Sequence, residues 1–141
     1  MTGTPTPSPA RFVAFLRAIN VGGHTVKMDA LRREFEQVGF TGVETFIASG
    51  NVLFTAAVVA HGASADRQLE IRIEEQLKAV LGYEVATFVR SPAELAQVVA
   101  TQPFDPQDMA AEGHSRYVGF LRAAPDADAT ARVLALHSAV D

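Results

Sequence analysis

Between Arg11 and Val89 the apolar residues switch between short strand-like runs and a helical 3-to-4 spacing, in the order β-α-β-β-α-β. Arg11 to Arg17 (RFVAFLR) is short, apolar and aromatic-rich, which suits a strand buried on both faces or nearly so. Gly22 and Gly23 break the chain. Met28, Leu31, Phe35 and Val38 then mark one helical face, with Gly39 placed for a left-handed cap. Val43 to Ala48 and Asn51 to Thr55 read as two strands, and Ser49-Gly50-Asn51 between them has the residues of a tight turn. Leu69, Ile73, Leu77, Val80 and Leu81 give a second helical face, capped by Ser64 and stopped by Gly82. Glu84 to Val89 is the last strand of the unit. The expected fold class is α+β, with a ferredoxin-like βαββαβ unit over 11–90.

Beyond that unit, Ser91 opens a linking helix through a capping box with Glu94, and Pro92 takes its first position. Leu95, Val98 and Val99 are expected to face inward, and a Pro-, Asp- and Gln-rich linker runs to about residue 114. Arg116 to Ala123 (RYVGFLRA) then repeats Arg11 to Ala18 (RFVAFLRA), identical at six of eight positions. A helical pattern follows each copy, the second from Asp126 to about His137 with Val133, Leu134 and Leu136 inward. This reads as the strand and helix that start a second, incomplete ferredoxin-like unit over 115–141, on a chain with a truncated C-terminus. One strand and one helix bury too little surface to stand alone, so that piece is expected to pack on the first unit or to pair in a homodimer.

Composition narrows the function classes. Of the 141 residues 48% are hydrophobic, enough for a core without metal or disulfide support. There is no cysteine, which removes thiolate zinc sites and cysteine nucleophiles and fits a reducing, cytoplasmic setting. Residues 1–10 alternate Thr, Pro and Ser without the regions of a signal peptide and read as a disordered leader. No apolar run is long enough to span a bilayer. A net charge of -4 weighs against duplex nucleic acid, which is bound through accumulated Lys and Arg.

The expected topology brings polar residues together. The first two strands run parallel to each other, so the loop Arg17 to His24 should lie beside Ser49-Gly50-Asn51, and the start of the fourth strand, near Tyr83, should lie at the same edge. A Gly-rich loop leading into a helix offers free N–H groups and a positive helix end to an anion. Arg17 could clamp that anion bidentately and Lys27 could add charge. The candidate ligand-binding residues are therefore Arg17, Asn20, Gly22, Gly23, His24, Lys27, Ser49, Gly50 and Asn51, for a small anionic or nucleotide-like ligand. The spacing matches neither a Walker loop nor a dinucleotide fingerprint, and no cofactor is expected. The four histidines are scattered, so no metal site is expected, and no Gly-x-Ser-x-Gly elbow is present. No motif assigns an enzymatic reaction. The alternative is an interaction module, either for single-stranded RNA, with Phe12, Phe15 and Phe54 as stacking platforms, or for protein assembly at the sheet edge.

Phe15 to Gly23 (FLRAINVGG), then Lys27-Met28, and Phe46 to Phe54 (FIASGNVLF) together resemble the paired signatures of the domain-of-unknown-function 1697 family. Its members typically show a Leu-Arg-Gly-Ile-Asn-Val-Gly-Gly stretch and a Ser-Gly-Asn-Val hairpin. Ala18 departs from that pattern, standing where the family usually has glycine. The resemblance implies a chain that continues for several dozen residues into a basic tail. It implies no activity.

Overall fold

The computed structural model describes residues 3–138. Its elements are β1 (Ser8–Leu16), α1 (Met28–Gln37), β2 (Thr41–Phe46), a single 3-10 turn (Ile47–Ser49), β3 (Asn51–Val58), α2 (Ala63–Leu81), β4 (Thr87–Arg90), α3 (Pro92–Ala100), α4 (Pro106–Ala110) and α5 (Ala127–Leu134). The strands form one sheet in the order β2-β3-β1-β4, and every neighbouring pair is antiparallel. The architecture is α+β.

Strand alternation builds the core. Phe12, Ala14 and Leu16 of β1, Val52, Phe54 and Ala56 of β3, and Val89 of β4 project to one face. There they meet Leu31 and Phe35 of α1 and Leu69, Ile73 and Leu77 of α2. Phe54 sits at the centre, its ring 5.8 Å from Phe12, 5.5 Å from Phe35 and 4.5 Å from Phe40. Burying each such ring contributes about 1.5–3 kcal/mol, so this one layer specifies how both helices lie on the sheet. Phe12 and Phe54 are therefore core residues, and the expectation that they present stacking platforms to RNA is corrected.

The other face of β1 carries Arg11, Val13 and Phe15, all half-buried, so the strand is covered fully on one side only. Ser8, Pro9 and Ala10 extend β1 by pairing with Val58, Ala57 and Ala56, which corrects the expected leader over 1–10 at these residues. The helix stops follow the expected chemistry. Gly39 and Gly82 both have positive φ, and the Gly82 N–H bonds the Lys78 carbonyl. The start of α2 differs: Gly62 is its N-cap, with no side-chain bond, and Ser64 lies within the helix.

Past β4 the expectations hold less well. Ser91 and Glu94 form the capping box, each side chain bonding the other's backbone N–H. Yet α3 buries no residue fully, and Val99 is 76% exposed. The segment 116–123 is not a strand, although it repeats the sequence of β1. It lies instead against the outer face, with Phe120 stacked on Phe15 at 4.5 Å and the Leu121 carbonyl accepting from Arg90 at 3.1 Å. A strand needs a partner ladder, and the first unit already pairs β1 on both sides. Helix α5 forms behind an Asp126 cap, but Val133, Leu134 and Leu136 are exposed, against the inward facing expected of them.

Candidate ligand site at the end of the sheet

The β1–α1 loop and the β2–β3 turn meet. Asn20 joins them: its side-chain N–H donates to the Ala48 carbonyl at 3.0 Å, while its Oδ1 accepts the Val26 N–H at 2.7 Å. The Leu16 N–H reaches the Gly50 carbonyl at 3.1 Å, and the Arg17 N–H reaches Ala86 at 2.9 Å. Three segments distant in sequence thus converge on one end of the sheet, with buried Ile19 as their apolar pin.

The nine expected residues separate by what they do there. Asn20 is committed to holding the loop. Gly50 is buried at φ +82, and any Cβ on it would collide with Ile19, so its role is to let the turn close over that side chain. Gly22 and Gly23 have positive φ with open space around them, so their role is conformational. The Ser49 hydroxyl donates to the Phe46 carbonyl at 3.3 Å within its own turn. Asn51 is half-buried at the start of β3, opposite Phe15 and Phe46. The imidazole of His24 stacks on Tyr83 at 3.8 Å, and the Tyr83 hydroxyl is buried without a hydrogen-bond partner among the described residues. Arg17 and Lys27 are exposed, and their side chains make no hydrogen bond or ion pair among the described residues. Lys27 is the N-cap of α1 and gives it no side-chain cap.

The loop and the β2–β3 turn also expose apolar side chains that sequence reasoning missed. Val21, Phe46 and Ile47 are 59%, 61% and 65% exposed. Ile47 also adopts φ +50, a conformation costing a β-branched residue about 1–2 kcal/mol. In the sequence these three looked like strand or loop interior. Ala18 has φ +55, which explains why glycine suits that position.

A second polar cluster, also missed, flanks β4. This is an edge strand, and its outward N–H groups are taken by side chains in place of a fifth strand: Val89 donates to Glu70 and Thr87 to Glu74, each at 3.0 Å. Arg67 bridges both carboxylates, Arg90 approaches Glu70 at 3.6 Å, and Arg122 bonds Glu74 at 2.6 Å. Asp66, 4% exposed, has its carboxyl pushed up to about 6 by burial and then by the neighbouring Glu94. The available signal was spacing, since Asp66, Leu69, Glu70, Ile73 and Leu77 share one helix face and two of them are acidic. A cavity of about 410 Å³ opens beside this cluster. None of the nine expected residues lines it.

Among the described residues no group of His, Asp and Glu is arranged to hold a metal ion, and no helix is long and apolar enough to cross a membrane.

No curated protein matches the chain. Among solved structures it is similar to a conserved bacterial protein, SP0830, from Streptococcus pneumoniae, with 28% sequence identity and a TM-score of 0.56. The match covers 68% of this chain and 51% of that one, so it spans about half the length of the relative. The sequence profile of a family described as a protein of unknown function, DUF1697, matches residues 10–141. With paired loop motifs joined through Asn20 and a profile match over nearly its whole length, the chain belongs to the DUF1697 family.

Proposed function

We propose that the chain carries a ferredoxin-like module that binds a small anionic, nucleotide-like ligand where the β1–α1 loop meets the β2–β3 turn. The observation that carries this reading is the pair of uncommitted cations, Arg17 and Lys27, on a loop that Asn20 holds against the turn. Each charge-assisted hydrogen bond is worth about 1.5–3 kcal/mol, and the end of α1 adds about 0.3–1 kcal/mol. Together these support affinity of roughly 0.1 mM to 1 mM. Exposed Val21, Phe46 and Ile47 supply the surface that a base or other apolar part needs. The lack of cysteine fits a cytoplasmic setting for such a module. Titration with a panel of nucleoside mono- and diphosphates, followed by amide chemical shifts, tests it. Shifts confined to residues 17–27 and 46–51, weakened about tenfold or more in Arg17→Ala, support the site; no shifts there up to about 10 mM remove it.

A second reading concerns assembly. Tyr117, Leu121, Val133, Leu134 and Leu136 are all more than half exposed, and 116–123 has the sequence of a central strand without a strand's pairing. In this reading residues 115–141 begin a second similar unit, and a second copy of the chain covers its apolar side. Light scattering at high concentration is expected to give a dimer. A monomer there would exclude it.

A further inference from the structure

Strand register lines up four residues across the outer face of the sheet. Phe46 of β2 stands opposite Asn51 of β3, Asn51 opposite Phe15 of β1, and Phe15 opposite Phe88 of β4. Paired residues project to the same side of a sheet, so the four form one row, about 14 Å long at the usual spacing of strands. It lies on the side away from the core, and none of its rings belongs to the core layer of Phe12 and Phe54. Phe46 is 61% exposed, while Asn51, Phe15 and Phe88 are half-buried. The Asn51 side chain makes no hydrogen bond among the described residues.

The row already holds a planar guest. Phe120, carried by residues 116–123, lays its ring on Phe15 with centres 4.5 Å apart and planes 23° apart. Arg90 stands 5.2 Å from the centre of the Phe120 ring, and Arg122 stands 5.8 Å from the centre of Phe88. A flat ring is thus received by an aromatic platform and a guanidinium together, the two groups on which an unstacked nucleobase settles. The segment that carries Phe120 is not part of the sheet. Side-chain bonds tie it to the body: Arg90 to the Leu121 carbonyl at 3.1 Å, Arg116 to the Val98 carbonyl at 2.7 Å and Arg122 to Glu74 at 2.6 Å. Such a segment can lift without unpairing a strand.

We infer that this outer face binds single-stranded RNA, with bases stacked on Phe46 and on the Phe15–Phe88 pair and a base edge read by Asn51, and that Phe120 holds the place of one base until RNA displaces it. Single strands fit because their bases are free to stack. A duplex keeps its bases to itself and offers mainly phosphate, which a chain of net charge -4 does not attract. Three rings in a row serve about two or three bases. The face adjoins the proposed loop site and shares Phe46 and Asn51 with it, but its stacking contacts do not require Arg17 or Lys27.

Fluorescence anisotropy of labelled uridylate and adenylate oligomers of about six nucleotides, with amide shifts recorded on the full chain, tests it. Binding should shift the amides of Phe15, Asn51 and Phe88 and abolish the nuclear Overhauser effect between the Phe15 and Phe120 rings. Phe46→Ala, at an exposed position, should weaken binding about tenfold. Phe120→Ala should tighten it by a similar factor, because it removes the competing ring. Arg17→Ala should bind the oligomers as the parent does, which separates this face from the loop site. Binding by neither the parent nor Phe120→Ala at about 1 mM RNA overturns the inference. So does a Phe120→Ala chain that binds more weakly than the parent, or shifts confined to residues 17–27, which would leave the loop site alone. If Phe120→Ala dimerises and takes up no RNA, the row belongs to a second copy of the chain and the inference fails.

Discussion

Ile19 fills the space that a Cβ on Gly50 would occupy. This contact couples the β1–α1 loop to the β2–β3 turn through packing, just as Asn20 couples them through hydrogen bonds. Neither residue is close to its partner in sequence, and both couplings exist only because β1 and β2 run in the same direction on either side of β3.

Gly50→Ala should therefore be among the most damaging single changes in the first ninety residues. It combines a left-handed backbone with overpacking against Ile19, a cost of about 2–4 kcal/mol. Urea unfolding of the variant should show the midpoint fall with little change in slope. A loss below about 0.5 kcal/mol would mean that the turn does not close on Ile19.

The opposite sign is expected at Ala18. Its φ of +55 favours glycine, so Ala18→Gly should stabilise the chain by about 0.5–1 kcal/mol despite the added freedom of the unfolded state. A thermal melt that moved downward would argue against a left-handed conformation there.

Removing the Asn20 side-chain amide leaves the Val26 N–H and the Ala48 carbonyl unsatisfied. Asn20→Ala should cost about 1–3 kcal/mol and raise hydrogen exchange at Val26 before it affects the sheet. Unchanged exchange at Val26 would contradict the clamp.

Tyr83→Phe deletes a buried hydroxyl that has no partner among the described residues. The expected outcome is neutral to stabilising, by up to about 1 kcal/mol, with the His24 stack preserved. A substantial loss of stability would reveal a bond to that hydroxyl.

Asp66 sets a pH dependence whose sign is fixed by the direction of its shift. The carboxyl titrates near 3.8 when unperturbed and at about 6 in the fold, so the folded chain holds more protons between those values. Its contribution to stability is present in acid and is lost as pH rises from about 4 to about 6, on the order of 2 kcal/mol in total. Chemical unfolding of Asp66→Asn across that range should lack this decline. An identical pH profile in parent and variant would remove the assignment.

Much of the first ninety residues could be read from the chain alone, because periodicity and punctuation are local. Met28 opens α1 as its spacing indicates, Gly82 stops α2, and the Ser91–Glu94 box starts α3. The family motifs were legible for the same reason. What sequence could not supply was commitment: whether Asn20 holds a loop or a ligand, and whether Phe12 faces a core or a partner. Both answers depend on which side of a strand meets a helix.

The repeat shows where that division falls. Six identical residues in eight give 11–18 and 116–123 nearly the same intrinsic preference for a strand, yet only the first copy is one. Local chemistry determined the preference, together with the caps and the apolar faces of α1 and α2. Tertiary structure decided its outcome, because a strand is completed by the neighbours that pair with it, and β3 and β4 pair with the first copy and not with the second.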